Sequence, residues 1–149
     1  MKKAAPNTKH QVVASNLFYQ FKHFLNKQSY NVYITPFDIR LPIQNLKKGN
    51  EITTVVQSDL CVICDTCKID EKGCCGALDI IIEILSPGNS RRELQNKFEL
   101  YQEAGVLEYW ITAPTEEFII TLHLENGKYT QSKPFASGQT ITSSLLFGI

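Results

Sequence analysis

Three things are scarce in this sequence: long apolar runs, net charge and segments of biased composition. The 149 residues are 43% hydrophobic and 20% charged, as is ordinary for a globular protein. No apolar run approaches the roughly 20 residues that a membrane-spanning helix needs, and no apolar segment follows Lys2 and Lys3 as a secretory signal requires. We therefore expect one globular domain over residues 1–149 and a cytoplasmic location.

The absence of net charge limits how strongly the protein as a whole can attract a nucleic acid. Fifteen basic and fifteen acidic residues cancel, which excludes the strongly positive surface of a dedicated nucleic-acid coat protein. Contact with a nucleic acid would have to come from local basic patches, such as Lys47–Lys48 or Arg91–Arg92.

Cysteine, in contrast, is concentrated in one stretch. Cys61, Cys64, Cys67, Cys74 and Cys75 lie within fifteen residues, a spacing that invites a zinc or iron–sulfur interpretation. The odd number and the missing secretory signal argue against a disulfide framework. Because side chains alternate faces along a strand, Cys61 and Cys64 should point to opposite sides and share no ion. We expect Cys61 buried in a strand, Cys74 and Cys75 in or beside a loop, and no four-thiolate site.

Start and stop signals predict the order of elements. Thr8-x-x-Gln11 and Ser90-x-x-Glu93 have the form of capping boxes, and they open helices that we expect to end near Asn26 and at Ala104, with Gly105 as a left-handed C-cap. The predicted strands are NVYIT, FDIRLP, about Ile52 to Cys64, about Leu78 to Leu85, VLEYWIT, and a hairpin turned at Asn126–Gly127.

A strand–helix–strand crossover over residues 79–112 implies one parallel pair of strands, while the other pairs should be antiparallel. The fold class predicted is α/β, with a mixed β-sheet flanked by helices.

Two acidic residues and one lysine form the candidate site. Asp59 and Glu83 lie in successive predicted strands, and Glu83 interrupts the apolar run DIIIEIL. If the strands are neighbours, the carboxylates could flank one Mg²⁺ or Mn²⁺ ion on one face of the sheet. Lys97 lies at the edge of the apolar stripe of the following helix, from which its ammonium could reach Glu83.

Each of these residues also has a purely structural interpretation. Glu83 could be solvated on an edge strand or form a structural ion pair with Lys97. Asp59 could be a turn residue that opens a strand, and Lys97 could pair with Glu93 at i,i+4. The residue pattern alone leaves both interpretations open.

The stretches TTVVQSDLCVICD and GALDIIIEILSPGNSRRELQNKFELYQEAGVLEYWI closely resemble the Uma-type family of restriction endonucleases, which belongs to the PD-(D/E)XK nuclease superfamily. The resemblance implies a restriction endonuclease-like core and Mg²⁺-dependent hydrolysis of DNA. It makes Asp59 and Glu83 the metal-binding acids. The usual lysine position, two residues after the glutamate, holds Leu85, and the family's lysine on the following helix corresponds to Lys97.

The same resemblance marks His10, Asp38 and Glu93 as accessory candidates, with His10 as an ordinary helix residue in the alternative interpretation. Relatives carry a Glu-rich N-terminal segment, and we expect this chain to lack it because the predicted first helix begins close to residue 1. The competing hypothesis is therefore a truncated or decayed nuclease fold that only binds DNA or protein, and a third is a cysteine-ligated metal module. The oligomeric state stays open, with a homodimer among the alternatives.

Overall fold

The computed structural model describes residues 7–45 and 50–146, so the predicted patch Lys47–Lys48 lies outside the described residues. Within those ranges the chain forms two α-helices and eleven strands. The helices are α1 (Thr8–Phe24) and α2 (Arg91–Ala104). The strands are β1 (Asn31–Ile34), β2 (Ile39–Asn45), β3 (Asn50–Val56), β4 (Leu60–Ile63), β5 (Ile69–Asp70), β6 (Gly73–Cys75), β7 (Ile80–Ile84), β8 (Glu108–Ala113), β9 (Phe118–Glu125), β10 (Lys128–Gln131) and β11 (Phe135–Ala136).

The strands form two sheets, where the sequence had predicted one. The main sheet has the order β1-β4-β7-β8-β9-β10, with β11 also pairing with β9, and the smaller sheet has the order β3-β2-β6-β5. The predicted crossover is confirmed, because β7 and β8 are parallel and α2 connects them. The main sheet is otherwise antiparallel. The smaller sheet contains a second parallel pair, β2 with β6, where the sequence had predicted only antiparallel pairs. The fold is α/β.

The main sheet has a helix on each face, and the side chains of β7 divide between them. Ile80, Ile82 and Ile84 belong to the apolar cluster that contains Ala14 and Phe21 of α1. Ile81 belongs to the cluster that contains Tyr101 of α2. Because side chains alternate along a strand, Glu83 lies on the α2 face with Ile81.

The predicted strand over Ile52 to Cys64 is two strands in different sheets, β3 and β4. Residues 57–59 separate them, and the interruption is stabilised by local polar bonds. The Ser58 hydroxyl donates to the Leu60 carbonyl at 3.0 Å, and the Asp59 carboxylate accepts from the Ile84 amide at 2.7 Å. Side-chain bonds of this kind compete with ladder hydrogen bonds. Strand propensity alone could not predict the break.

The helix ends follow the predicted signals with two corrections, both in α1. Asn7, rather than Thr8, is the N-cap of α1, and its side chain accepts from the His10 amide. Ser90 and Glu93 do form the predicted capping box of α2, and Gly105 ends that helix with φ +84°. α1 ends at Phe24, two residues before the predicted position.

The cysteines are five free thiols. Cys61 is buried on the α2 face, whereas Cys64 lies beside Tyr30, which packs on the α1 face. Burial raises the pKa of Cys61 to about 12 and that of Cys74 to about 11, so both stay protonated at neutral pH. Cys74 and Cys75 lie in the short strand β6. Over residues 7–45 and 50–146, no group of three or more His, Cys, Asp or Glu side chains could hold a metal ion.

The length and composition of the two helices can be compared with what a membrane-spanning helix requires. In the part of the chain that the structure describes, neither is long and apolar enough to cross a membrane.

Candidate active site

Glu83 is a carboxylate inside the core of the main sheet. Its strand, β7, lies between β4 and β8, and the residue is only 4% exposed, which excludes the solvated edge-strand interpretation. The Lys97 ammonium lies 2.8 Å from Glu83 Oε1, and the Tyr101 hydroxyl donates to the same oxygen at 2.7 Å. Burial raises the pKa of Glu83 above its ordinary value, while Lys97 and Tyr101 oppose that rise.

Lys97 and Tyr101 reach one carboxylate because they are four residues apart on α2. Positions i and i+4 of a helix lie on the same face, one above the other. Lys97 keeps 27% of its side chain exposed, so its ammonium lies at the rim of the core. Its recorded ion pair is with Glu83, so the prediction that Lys97 approaches Glu83 is confirmed.

Asp59 lies just before β4, at the end of the sheet where β7 finishes. The antiparallel register pairs Leu60 with Ile82, so the chain at Asp59 runs alongside Glu83. Its Oδ2 accepts from the Ile84 amide at 2.7 Å. The Asp59 charge is one of the causes that raise the pKa of Glu83, as expected for like charges near each other. Asp59 is therefore outside a strand, as the turn-residue interpretation held, and it is close enough for its charge to raise the pKa of Glu83.

His10 joins this group from the opposite helix. Its Nε2 lies 3.2 Å from Asp59 Oδ1, and its side chain is 8% exposed. An ordinary helix residue would not be expected to make this contact with a candidate site residue. Asn7 caps α1 by accepting from the His10 amide, which anchors the first turn of the helix that carries this ring. A histidine in the first turn of a helix carries no signal of this contact in the sequence.

The other two accessory candidates have different contacts. Asp38 accepts from the Gln57 side chain at 2.6 Å, and its carbonyl accepts from the Cys74 amide of the smaller sheet. Glu93 completes the capping box by accepting from the Ser90 amide at 3.0 Å. The contacts of Asp38 stabilise the connection between β3 and β4, and the contact between Glu93 and Ser90 stabilises the start of α2.

Tyr101 is the residue that the sequence missed. Its position in α2 predicts only a residue of the apolar face of the helix, and its ring is fully buried. Its hydroxyl, however, is one of the two donors to Glu83. The spacing Lys97-x-x-x-Tyr101 was the available signal, because any partner of Lys97 on the inward face is also within reach of residue 101.

The donor set is compatible with a hard divalent cation. Carboxylate oxygens are the ligands that Mg²⁺ prefers, and Mg²⁺ commonly uses only one or two carboxylates and keeps several waters. Both recorded donors to Glu83 use Oε1, and no hydrogen bond to Oε2 is recorded among the described residues. The donor chemistry of the two acids is therefore that of a two-carboxylate Mg²⁺ site, although no group of three or more such side chains is formed among the residues that the structure describes.

A separate groove of about 720 Å³ lies between α1 and the segment 135–143 on the other face of the sheet. It is lined by residues such as Leu17, Phe21, Trp110 and Ile141. Asp59, Glu83 and Lys97 are not among its lining residues, so we place the candidate chemistry at the carboxylates, where charged groups converge.

Comparison with known proteins gave a structural match and a match to a family model. A crystal structure of a protein from Anabaena variabilis, described as a "putative nuclease" of the DUF820 group, superposes with a TM-score of 0.65 at 17% identity. The match covers 88% of this chain and 70% of that one, and at this identity it shows a shared fold. No curated protein matches the sequence. The family model for Uma2, described as "Putative restriction endonuclease", matches residues 1–149, and the chain therefore belongs to the Uma2 family.

Proposed function

We propose that the chain is a metal-dependent endonuclease that hydrolyses phosphodiester bonds of DNA. The observation that carries the proposal is the buried Glu83 beside Asp59, with the Lys97 ammonium 2.8 Å from Glu83. Membership of a family described as a restriction endonuclease favours DNA as the substrate.

Asp59 and Glu83 would hold Mg²⁺ or Mn²⁺. When bound, the ion would polarise the scissile phosphate and lower the pKa of a coordinated water. The roles of the chain's own residues follow from their contacts. The backbone amide of Ile84 and the ring of His10 orient Asp59, because a carboxylate with both oxygens engaged has little rotational freedom.

Lys97 has a role distinct from that of the acids. In the ligand-free arrangement its ammonium neutralises part of the negative charge of Glu83. With a divalent cation beside the acids, the ammonium would be available to stabilise negative charge that develops on the phosphate, or to orient the attacking water. Its partly exposed position at the rim of the core is suited to that task.

The test is nicking of supercoiled plasmid DNA by the purified full chain with Mg²⁺, with Mn²⁺ and with EDTA. We expect cleavage with either metal and none with EDTA. Glu83→Gln, Asp59→Asn and Lys97→Met should each lower the rate at least about a thousandfold. Asp65→Asn, which changes an exposed acid in the turn before β5, serves as the matched control and should cleave like wild type.

The competing hypothesis, a decayed nuclease fold with a binding role, predicts a different result. A folded wild type that binds DNA but cleaves it no faster than Glu83→Gln, with either metal, would support that hypothesis and refute the proposed activity.

A further inference from the structure

The hydroxyl of Tyr101 is a buried polar group that donates a hydrogen bond to a carboxylate oxygen. The residue is fully buried, and its hydroxyl donates to Glu83 Oε1 at 2.7 Å. A buried phenol needs a hydrogen-bond partner, but a carboxylate in the middle of a sheet is an unusual one. The contact therefore calls for an explanation beyond filling the core.

Lys97 and Tyr101 bind the same oxygen of Glu83. Two donors from α2 hold Oε1 in place, which restricts rotation of the carboxylate and leaves Oε2 without a bond to either donor. Since no hydrogen bond to Oε2 is recorded among the described residues, this oxygen keeps its lone pairs for a ligand.

The two donors differ in rigidity. Lys97 is partly exposed and ends a flexible four-carbon stem. The Tyr101 ring has no such freedom, because it packs edge-to-face on the Tyr109 ring, with centroids 5.0 Å apart and an interplanar angle of 78°. Tyr101 is thus the donor that can hold Glu83 still while Lys97 changes partner.

We propose that Tyr101 is a positioning residue that holds Glu83 Oε1 and so presents Oε2 to a divalent cation. The inference rests on the proposed function to the extent that it takes Glu83 as a metal ligand. Groups that hydrogen-bond to metal ligands typically contribute tenfold to a hundredfold to metal affinity.

Tyr109 provides a matched control within the same ring pair. It too is fully buried, and its hydroxyl has no hydrogen-bond partner among the described residues. Tyr101→Phe and Tyr109→Phe therefore remove the same atom from neighbouring buried rings, but only Tyr101→Phe removes a bond to Glu83. A general effect of losing a buried hydroxyl would appear in both variants.

The experiment measures Mn²⁺ binding directly, by electron paramagnetic resonance of free Mn²⁺, for the full-length wild type and both variants. We expect Tyr101→Phe to weaken Mn²⁺ binding at least about tenfold and Tyr109→Phe to change it less than about twofold. In the cleavage assay, Tyr101→Phe should need correspondingly more Mn²⁺ for half-maximal rate and approach the wild-type rate at saturation.

The outcomes separate this inference from the proposed function. Equal Mn²⁺ affinity in wild type and Tyr101→Phe would overturn the positioning role, as would a Tyr101→Phe chain that fails to fold while Tyr109→Phe folds. A wild type that binds Mn²⁺ but cleaves no DNA would refute the proposed function. In that case, the Mn²⁺ affinity of Tyr101→Phe relative to wild type would still decide whether Tyr101 positions Glu83. A wild type that binds no Mn²⁺ would overturn both.

Discussion

Two buried glutamates on neighbouring parallel strands, Glu83 of β7 and Glu108 of β8, have opposite environments. Among the described residues, the bonds to the Glu83 carboxylate all go to Oε1, from Lys97 and Tyr101. Glu108 is fully buried, and both of its oxygens are occupied. Its donors are the Trp110 indole, the hydroxyls of Ser143 and Ser144, and the amides of Ser144 and Leu145, with His123 Nδ1 at 3.4 Å.

The difference indicates what each carboxylate does. Glu108 attaches the segment 143–145 to the α1 face of the sheet, and its set of donors leaves little capacity for a ligand. Glu83 lies on the α2 face with one oxygen uncommitted, a second acid nearby and a raised pKa, features that are concentrated at functional sites. Burial of a carboxylate is therefore a poor guide to function until its donors are identified.

The sharpest test of the contrast is the same substitution at both positions. Glu108→Gln should lower the free energy of unfolding by about 3 kcal/mol, because an amide nitrogen would face hydrogen-bond donors. For a chain of this size the loss corresponds to a fall of roughly 6–12 °C in Tm. Glu83→Gln should stay within about 1 kcal/mol of wild type or be more stable, because its amide oxygen can accept both donors that Oε1 accepts. Urea unfolding without metal measures both, and equal losses would contradict the contrast.

Removing the cation beside Glu83 should have the next largest effect. Lys97→Met leaves a buried carboxylate and the neighbouring Asp59 without an ammonium, so we expect a loss of about 2 kcal/mol, less than for a fully buried pair because Lys97 is partly exposed. The double variant Lys97→Met/Glu83→Gln should recover most of the loss, as a double-mutant cycle in urea unfolding would measure. Additive losses would mean that the pair is not coupled.

Metal should stabilise the Glu83 region and leave the Glu108 region unaffected. At a Mg²⁺ concentration ten times Kd, preferential binding to the native state adds about 1.4 kcal/mol. Wild type should gain this in thermal melting, and Glu83→Gln should gain nothing. Ser144→Ala, which removes one donor from Glu108, should start from a lower Tm and gain as much as wild type. A Mg²⁺ response retained by Glu83→Gln would exclude Glu83 as a ligand.

The smallest effect concerns pH in the absence of metal. Because the pKa of Glu83 is raised in the folded state, the protonated form is favoured there. Its contribution to stability is present below the unfolded-state pKa of about 4.3 and is lost as pH rises through the folded-state pKa. Lys97, Tyr101, Tyr109 and Asp59 are the titratable groups whose charges or bonds couple to Glu83.

Unfolding in EDTA across pH 4 to 8 would test this. The stability of Glu83→Gln relative to wild type should rise with pH, since only wild type carries the buried charge at high pH. A difference that falls with pH would mean that the attraction of Lys97 outweighs burial, and Glu83 would then resemble an ordinary structural ion-pair partner.

Local patterns were sufficient to predict the part of the fold around Glu83. The capping box at Ser90, the left-handed C-cap at Gly105 and the crossover between parallel strands are all present. These signals depend on residues close together in the chain, where backbone geometry and hydrogen bonding are decided locally. The approach of Lys97 to Glu83 also followed, since it depends on one helix that packs on the strand before it.

The features that distinguish the two glutamates were settled by contacts between distant parts of the chain. Residues 57–59 leave the predicted strand because Asp59 bonds to the Ile84 amide, His10 reaches Asp59 from another helix, and Glu108 gathers its donors from residues 143–145. The sequence by itself determined the two helices and the strands around the crossover, and it predicted that two acids and a lysine lie close together on one face of the sheet. Only the tertiary structure decided which donors meet each carboxylate, because a hydrogen bond depends on distance and direction in space and local sequence carries no record of either.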